Sequence, residues 1–276
     1  MRADRRSLLL HLAVLALLFA LQFVLPAYHH SNLARIMVMA SFAVGYNLLL
    51  GYTGLLSLGH AMFFAAGLYG AGLAQLHLGL DPLSGFFCGI LAGTGLAVAV
   101  GLLALRTSGV AFMIVTLMFA QAGYLTTLYF NEFTRGDEGF VLPAAARSFT
   151  VLGQVVDLGD PATRFNIALL LFAACLLAGL ALVRSAIGRV LVAIRENEPR
   201  ALSLGYDTDR YKLLAYVLSA ALSGLAGGTK ALVFQLASLT DVYWTMSGEV
   251  VLMTLLGGLG TLFGPVVGAA IIITMQ

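Results

Sequence analysis

Residues 83–105 read LSGFFCGILAGTGLAVAVGLLAL, an uncharged run bounded by Pro82 and Arg106. A helix needs about 20 apolar residues to cross the hydrocarbon core of a bilayer. No water is available there to bond free backbone groups, so a crossing segment must satisfy its own hydrogen bonds, as a helix does. The run therefore predicts a transmembrane helix.

The composition of the whole chain agrees with this prediction. Of 276 residues, 60% are apolar and only 10% are charged, whereas soluble domains carry about a quarter of charged residues. Much of the surface must therefore face membrane lipid. We predict one all-α, polytopic membrane domain over residues 1–276, a bundle of about 8–10 transmembrane helices with glycine-broken central helices. The expected spans are 8–25, 33–50, 58–77, 83–105, 108–130, 164–183, 213–235 and the shorter 246–257 and 261–276.

Basic residues predict the orientation. With the N-terminus inside, ten arginines and lysines fall in inner segments and four in outer ones. The positive-inside rule then favours a cytoplasmic N-terminus, an extracytoplasmic loop at 131–163 and a cytoplasmic segment at 184–212. The net charge of +2 is too small to indicate a nucleic-acid partner. Because Gln276 ends an apolar run, we expect further residues to follow it.

The cytoplasmic segment 184–212 has an amphipathic helical pattern. Pro199 favours a first helical turn, so we expect helices at 186–196 and 198–204, joined at Asn197 and ended by Gly205. Such an element suits docking to a partner protein, and its acidic residues count against the alternative of an interfacial helix on anionic lipid. One face is expected to carry Val190, Ile194, Ala201 and Leu204, and the other Arg189, Glu196, Arg200 and Ser203.

The outer segment 131–163 is polar and rich in turn residues around Arg135, Asp137 and Glu138. Residues 149–156 could form a strand. The segment is either a solvated loop with no role or a docking surface for an extracytoplasmic partner.

Two glycine motifs recur in the two halves of the chain. Residues 49–56 and 255–262 both read L-L-G-x-x-G-x-L. Paired glycine interruptions in apolar segments indicate a transport path, since the freed backbone groups must face a cavity or a partner. The path residues predicted from these motifs and their flanks are Gly51, Gly54, Ser57, His60, Gly257, Gly258 and Gly260.

Three ionisable residues are expected at membrane depth, where function is the first hypothesis. They are His60, Lys230 and Glu249. The alternative for His60 is a hydrogen-bonded structural role. The alternative for Lys230 is a side chain that extends toward water, and for Glu249 a position in water at the membrane interface.

Several function classes are excluded by missing motifs. The chain has no G-x-x-x-x-G-K-[S/T] phosphate loop and no metalloprotease or serine-hydrolase signature. We therefore expect neither an enzyme nor a cofactor bound by this chain. An ion-gradient-driven secondary transporter is the alternative, and it would require acidic or histidine pairs at the midplane. A structural scaffold would leave the paired glycines unexplained.

Residues 45–64, GYNLLLGYTGLLSLGHAMFF, resemble the signature of the permease subunits of branched-chain amino-acid ABC importers. The stretches 107–110, 188–207 and 257–265 are similar to the same family, in its M-type rather than its H-type branch. The chain departs from the family pattern at residues 134–139, which leaves the substrate class open, and it lacks the last helix expected of the family.

The resemblance implies a fold, a location and partners. It implies a bacterial inner-membrane subunit that pairs with an H-type permease, two cytoplasmic ABC ATPases that use ATP, and a periplasmic substrate-binding protein. The binding protein would dock on Arg135, Asp137 and Glu138. The residues implied for coupling to the ATPases are Arg189, Arg195, Glu196, Asn197, Glu198, Arg200 and Gly205.

Overall fold

A computed structural model describes residues 2–142, 147–151 and 154–276. Within them lie twelve α-helices, two short 3-10 turns (Gly136–Glu138 and Leu239–Asp241) and four short strands. The helices are α1 Arg2–Val24, α2 Ala27–Thr53, α3 His60–Leu78, α4 Pro82–Ala104, α5 Gly109–Tyr129, α6 Asn131–Thr134, α7 Pro161–Arg184, α8 Ala186–Glu196, α9 Glu198–Ser203, α10 Thr208–Phe234, α11 Thr245–Gly257 and α12 Gly264–Met275. The strands are β1 Phe140–Val141, β2 Ser148–Val151, β3 Gln154–Asp157 and β4 Leu236–Ala237.

Six of these helices are long and apolar enough to cross a membrane, namely α2, α3, α4, α5, α7 and α10. The apolar part of α1, with α11 and α12, forms a shorter set. The predicted helical membrane bundle is therefore confirmed. Several helices start away from the expected spans: α1, α2 and α10 start at Arg2, Ala27 and Thr208, before 8, 33 and 213, and α12 starts at Gly264 rather than at 261. Gly258 and Gly260, in the connection between α11 and α12, have positive φ angles, so this connection is not helical and α12 begins only after it.

The two glycine motifs form connections between successive antiparallel helices, rather than kinks inside one helix. Ring contacts between Phe42 and Phe64 and between Tyr46 and His60, each with centroids 4.9 Å apart, set the antiparallel register of α2 and α3. In α11 and α12 the backbones nearly touch where Met253 faces Gly268. Both connections therefore reverse the chain direction.

Glycines allow α3, α4 and α10 to pack with their backbones in close approach. A Cβ added at Gly67 would lie 2.1 Å from the carbonyl oxygen of Gly224, and one at Gly227 would lie 1.9 Å from that of Phe64. A Cβ at Gly89 would lie 2.3 Å from the Gly67 oxygen. The hydrophobic effect does not drive helices together in lipid. Small residues instead let the backbones approach closely, and the resulting van der Waals contact stabilises the association.

One end of the bundle carries the segment 131–163. β1 pairs with β4, placing Phe140 opposite Ala237, so this segment is tied to the connection between α10 and α11. The strand expected at 149–156 is corrected to the antiparallel pair β2 and β3; residues 152–153 lie outside the described residues.

The helix that follows this segment begins with a capped first turn. Asp160 caps α7 by accepting hydrogen bonds from the backbone N–H groups of Ala162 and Thr163. The Thr163 hydroxyl also donates to this carboxylate and holds its pKa below the usual range.

The opposite end carries the segment 184–212 and the N-terminal part of α1. Leu10 and His11 of α1 line a pocket of about 420 Å³ together with Tyr52, Arg184 and Gly260. This contact agrees with the prediction that the N-terminus and the segment 184–212 lie on the same side of the membrane. Which of the two ends faces the cytoplasm stays a prediction.

Candidate coupling and translocation site

The segment 184–212 folds into two short helices, α8 and α9, close to the predicted bounds. Ser185 caps α8 by accepting from the N–H of Gly188 at 3.3 Å. Asn197 caps α9 by accepting from the N–H of Arg200 at 3.0 Å, so it lies at the joint as expected. Gly205, with φ +87°, follows the second helix.

The apolar face of this segment packs as predicted except at one residue. Val190, Ile194 and Ala201 are buried together against Tyr211. Leu204 was expected on this face, but 70% of it is exposed. α9 ends at Ser203, so the side chain of Leu204 no longer follows the helical period that placed it inward.

Most of the charged residues expected to couple to a partner point outward. Arg189, Glu196 and Arg200 are exposed, as is Asn197. Glu198 differs from them, because its carboxylate pairs with the ammonium of Lys212 and accepts a hydrogen bond of 3.0 Å from the hydroxyl of Thr208. Its contacts bind α9 to the start of α10. A direct role for the other residues in docking stays a prediction.

Arg195 connects α8 to both glycine segments. Its guanidinium donates to the backbone carbonyl of Gly51 and pairs with Glu196 at 2.6 Å. A Cβ at Gly54 would lie 2.9 Å from its Cγ, and a Cβ at Gly260 would lie 3.3 Å from its Nη1. The two motifs therefore meet at a single arginine of the charged segment.

Asn47 links the two glycine segments directly to each other. Its amide nitrogen donates to the Thr261 carbonyl at 2.9 Å, and its amide oxygen accepts from the N–H of Gly260 at 3.4 Å. Asn47 is fully buried. A Cβ at Gly51 would lie 2.0 Å from the Asn47 oxygen and 2.8 Å from the Gly260 nitrogen, so only glycine fits there.

The remaining glycines of the second motif shape its turn. A Cβ at Gly257 would lie 1.8 Å from the Gly264 carbonyl oxygen, and Gly258 has a φ of +100° that other residues rarely adopt. Their substitution would displace the connection that Asn47 holds.

His60 and Ser57 lie in a closed hydrogen-bond network. The Ser219 hydroxyl donates to the Gly45 carbonyl at 2.7 Å, so it accepts from Nε2 of His60 at 2.9 Å. Nδ1 then accepts from the hydroxyl of Ser57 at 3.1 Å. All these side chains are fully buried. Because every ring nitrogen is occupied, the geometry favours the structural alternative for His60 over a direct role in the path.

The residues expected to dock an extracytoplasmic partner lie together at the other end. Arg135, Asp137 and Glu138 are exposed, on and next to a 3-10 turn. Arg135 adopts a left-handed φ of +57° after α6. In the described part of the chain these three side chains form no ion pair with one another. Their docking role stays a prediction.

Sequence reasoning missed Asp241. Its carboxylate pairs with the ammonium of Lys230 at 2.5 Å, so this lysine has a partner inside the protein rather than in water. Asp241 lies in the connection between α10 and α11, and a charged residue in a connection between helices is too common to indicate a site. Lys230 lies 11 residues earlier, in an apolar helix. A charged residue in such a helix usually pairs with an opposite charge, so Lys230 could have indicated an acidic partner nearby.

Comparison with known proteins gives a consistent result. Residues 30–276 match a family model described as branched-chain amino acid transport system / permease component. The chain is 30% identical over 262 residues to the high-affinity branched-chain amino acid transport system permease protein LivM of Escherichia coli K12, covering 87% of this chain and 61% of that one. It is 23% identical over 245 residues to LivH of Salmonella typhimurium, covering 84% of this chain and 79% of LivH. The chain thus spans 61% of the length of its LivM relative. No solved structure matches it significantly.

Proposed function

The chain belongs to the branched-chain amino acid transport system permease family, and from this premise we propose that it is a transmembrane permease subunit of an ATP-binding-cassette importer for branched-chain or other hydrophobic amino acids. It would form part of the translocation path in the bacterial inner membrane. The energy would come from ATP hydrolysed by separate subunits, and this chain itself would carry no catalysis.

The observation that carries the proposal is the position of Arg195. This one residue of the segment 184–212 contacts Gly51 in the last turn of α2, Gly54 just after α2, and Gly260 before α12. A force applied to α8 therefore reaches two connections between membrane helices through a single side chain. Interiors are close-packed, so a displaced side chain at such a junction moves the backbones that touch it.

The exposed part of the segment supports an ATPase as the source of that force. Leu202 of α9 and Leu204, the residue after this helix, are exposed in the same segment as the charged residues Glu196 and Arg200. An apolar anchor surrounded by charges of both signs is suited to a groove on a soluble protein. We assign the residues Arg189, Glu196, Asn197 and Arg200 to this contact, with Glu198 and Gly205 maintaining the shape of the segment.

The other end would receive the substrate. The exposed charges of Arg135, Asp137 and Glu138 suit a periplasmic substrate-binding protein, because complementary charge accelerates encounter between such partners. A second permease subunit of the H-type would complete the path. This assignment puts α8, α9 and the N-terminus in the cytoplasm, in agreement with the excess of inner basic residues.

The rival function, a secondary transporter driven by an ion gradient, has weaker support. It would need proton- or ion-binding groups at the membrane midplane. His60 has both ring nitrogens bonded inside the protein, and the pair of Lys230 and Asp241 lies at the 131–163 end. Membership of an importer permease family also argues against it.

Co-purification and uptake test the proposal together. The chain is expressed with its second permease subunit and its ATPases, and the tagged chain is purified in detergent. We expect ABC ATPases to remain bound, and reconstituted vesicles to accumulate L-leucine only with ATP and the binding protein. Uptake driven by a proton or sodium gradient without ATP, with no bound ATPase, would establish the rival instead.

A further inference from the structure

A second pocket lies at the 131–163 end of the bundle, away from the coupling site, and charged residues line it. It lies between α2, α10, α11 and α12 and has a volume of about 440 Å³. Pockets that bind small molecules range from about 300 to 1,000 Å³. We therefore asked which ligand its chemistry would fit.

Four charged residues line this pocket, two of each sign. Arg35 and Lys230 are the cations, and Asp241 and Glu249 are the anions. They come from α2, from α10, from the α10–α11 connection and from α11, so the fold brings together charges that lie far apart in the sequence. Ionisable groups at membrane depth are rare and mark substrate or ion pathways, so function is the first hypothesis for them.

The internal contacts leave part of this charge unmatched. Asp241 is only 5% exposed, and while its Oδ1 pairs with Lys230 at 2.5 Å, its Oδ2 is buried with no hydrogen-bond partner. Arg35 has one bond to the Gln276 side chain, at 3.0 Å, out of the five that a guanidinium can donate. Glu249 forms no ion pair or hydrogen bond among the residues that the structure describes. The pocket therefore has free capacity for both an anion and a cation.

The rest of the lining is mostly apolar, with Thr240, Thr245 and Gln276 as its uncharged polar residues. Val38 and Met39 of α2 and Met246 of α11 are buried beside the charges, and Phe234 and Ile273 complete the wall. A ligand that satisfies the whole pocket has an anionic group, a cationic group close to it and an apolar body. Because Lys230 and Asp241 already pair with each other, an anion alone would leave Glu249 without a counterion, and a cation alone would leave Arg35 without one.

We propose that this pocket is a binding site for an α-amino acid zwitterion, with its carboxylate at Arg35 and Lys230, its ammonium at Asp241 and Glu249, and its side chain against Val38, Met39 and Phe234. The inference rests on the proposed transport of amino acids and locates a substrate site in this subunit. It adds residues that the glycine motifs did not include. The headgroup of phosphatidylethanolamine shares the same paired charges, and the test separates the two occupants.

The test measures binding of tritiated L-leucine to the complete transporter, immobilised in maltoside detergent without the substrate-binding protein. Two competitors each lack one charge of leucine: 4-methylpentanoate has no ammonium and 3-methylbutylamine has no carboxylate. We expect unlabelled leucine to compete and both analogues to compete at least about tenfold more weakly, because each leaves charged groups of the site unpaired.

Variants then assign the charges to residues. Glu249→Gln and Arg35→Gln should each raise the half-saturating leucine concentration by about tenfold or more. Glu132→Gln is the matched control, since it makes the same change on an exposed residue at the same end and should bind leucine normally. Lys230→Met combined with Asp241→Asn removes the ion pair without leaving one charge buried, and this double variant should lose binding. Elution volume and retention of the ATPases show that each variant is folded.

Three results would overturn the proposal. The first is normal leucine binding in Glu249→Gln and Arg35→Gln, and the second is competition by both analogues that is as strong as competition by unlabelled leucine. The third is displacement of leucine by phosphatidylethanolamine that depends on Glu249, which would assign the pocket to a lipid headgroup. If the unaltered transporter shows ATP-driven leucine uptake in these cases, only the site is wrong; if it shows no such uptake, the proposed function itself fails.

Discussion

The side-chain amide of Asn47 donates a hydrogen bond of 2.9 Å to the backbone carbonyl of Thr261, 214 residues later in the chain. This bond joins the first glycine segment to the second. The same side chain accepts from Gly260, so one buried amide satisfies two backbone groups that the second turn leaves free. The two motifs are therefore parts of one structure.

Replacing Asn47 by Leu should destabilise this junction. The substitution leaves the Thr261 carbonyl and the Gly260 N–H without their partner, at a cost of about 1–3 kcal/mol for each buried group. We expect a lower unfolding midpoint in detergent and weaker ATP-driven uptake. Asn166→Leu is the control, since Asn166 is exposed and bonds only to its own helix. Equal midpoints for the two variants would contradict a structural role for the Asn47 bonds.

Arg195→Lys should uncouple the ATPases from the membrane helices while keeping the charge. A lysine lacks the planar fork of donors, so it cannot bond Gly51 and Glu196 together as arginine does. We expect transport per ATP hydrolysed to fall by roughly tenfold, with ATPase binding retained. Arg106→Lys, an exposed change at the same end, should behave normally. Unchanged transport per ATP in Arg195→Lys would remove this residue from the coupling route.

Glu196 and Glu198 should differ, although they are two residues apart. Glu198→Gln breaks the ion pair with Lys212, in which the lysine side chain is 14% exposed and the glutamate side chain 37%, and should lower stability by about 1 kcal/mol. Glu196→Gln leaves the fold unchanged and should weaken ATPase binding, because 66% of that side chain is exposed for a partner. Unfolding midpoints and ATPase retention on the tagged chain measure the two effects. A double-mutant cycle of Glu198→Gln with Lys212→Gln should show coupling between them, and simple additivity would argue against the ion pair.

Gly67→Ala should strongly destabilise the bundle. The new Cβ would lie 2.1 Å from the Gly224 carbonyl oxygen, so α3 and α10 must separate, at a cost of about 1–3 kcal/mol. Gly95→Ala is a matched change in α4, where nothing lies within 4 Å, and alanine is the better helix former. We expect a lower unfolding midpoint for the first variant and an equal or higher one for the second. A tolerated Gly67→Ala would mean that this close helix contact contributes little.

Local signals in the sequence were sufficient for much of the fold. The run at 83–105 predicted α4 to within one residue at each end, because charge and proline bound it on both sides. The bounds of α8 and α9 followed from Asn197, Pro199 and Gly205, each of which acts on its own backbone. Caps and turns of this kind depend on a few neighbouring residues, so they can be predicted without tertiary structure.

Contacts between distant segments were beyond the same reasoning. The glycine motifs were found, but their meeting at Arg195 and Asn47 depends on how five helices pack. The pairing of Glu198 with Lys212 was missed because both residues fit a solvated face equally well. Leu204 failed for a different reason, since the helical period was extended one residue beyond the end of α9.

The chain has two lysines, and both belong to α10. Lys212 pairs with Glu198 near one end of the helix, and Lys230 pairs with Asp241 near the other. At 3.6 residues per turn and 1.5 Å per residue, they are about five full turns and about 27 Å apart, so they extend from the same side of the cylinder. A rotation of α10 about its axis would move both ammonium groups in the same direction. A rotation of α10 would therefore strain the ion pair with Glu198 and the ion pair with Asp241, at the edge of the proposed amino-acid pocket, at the same time.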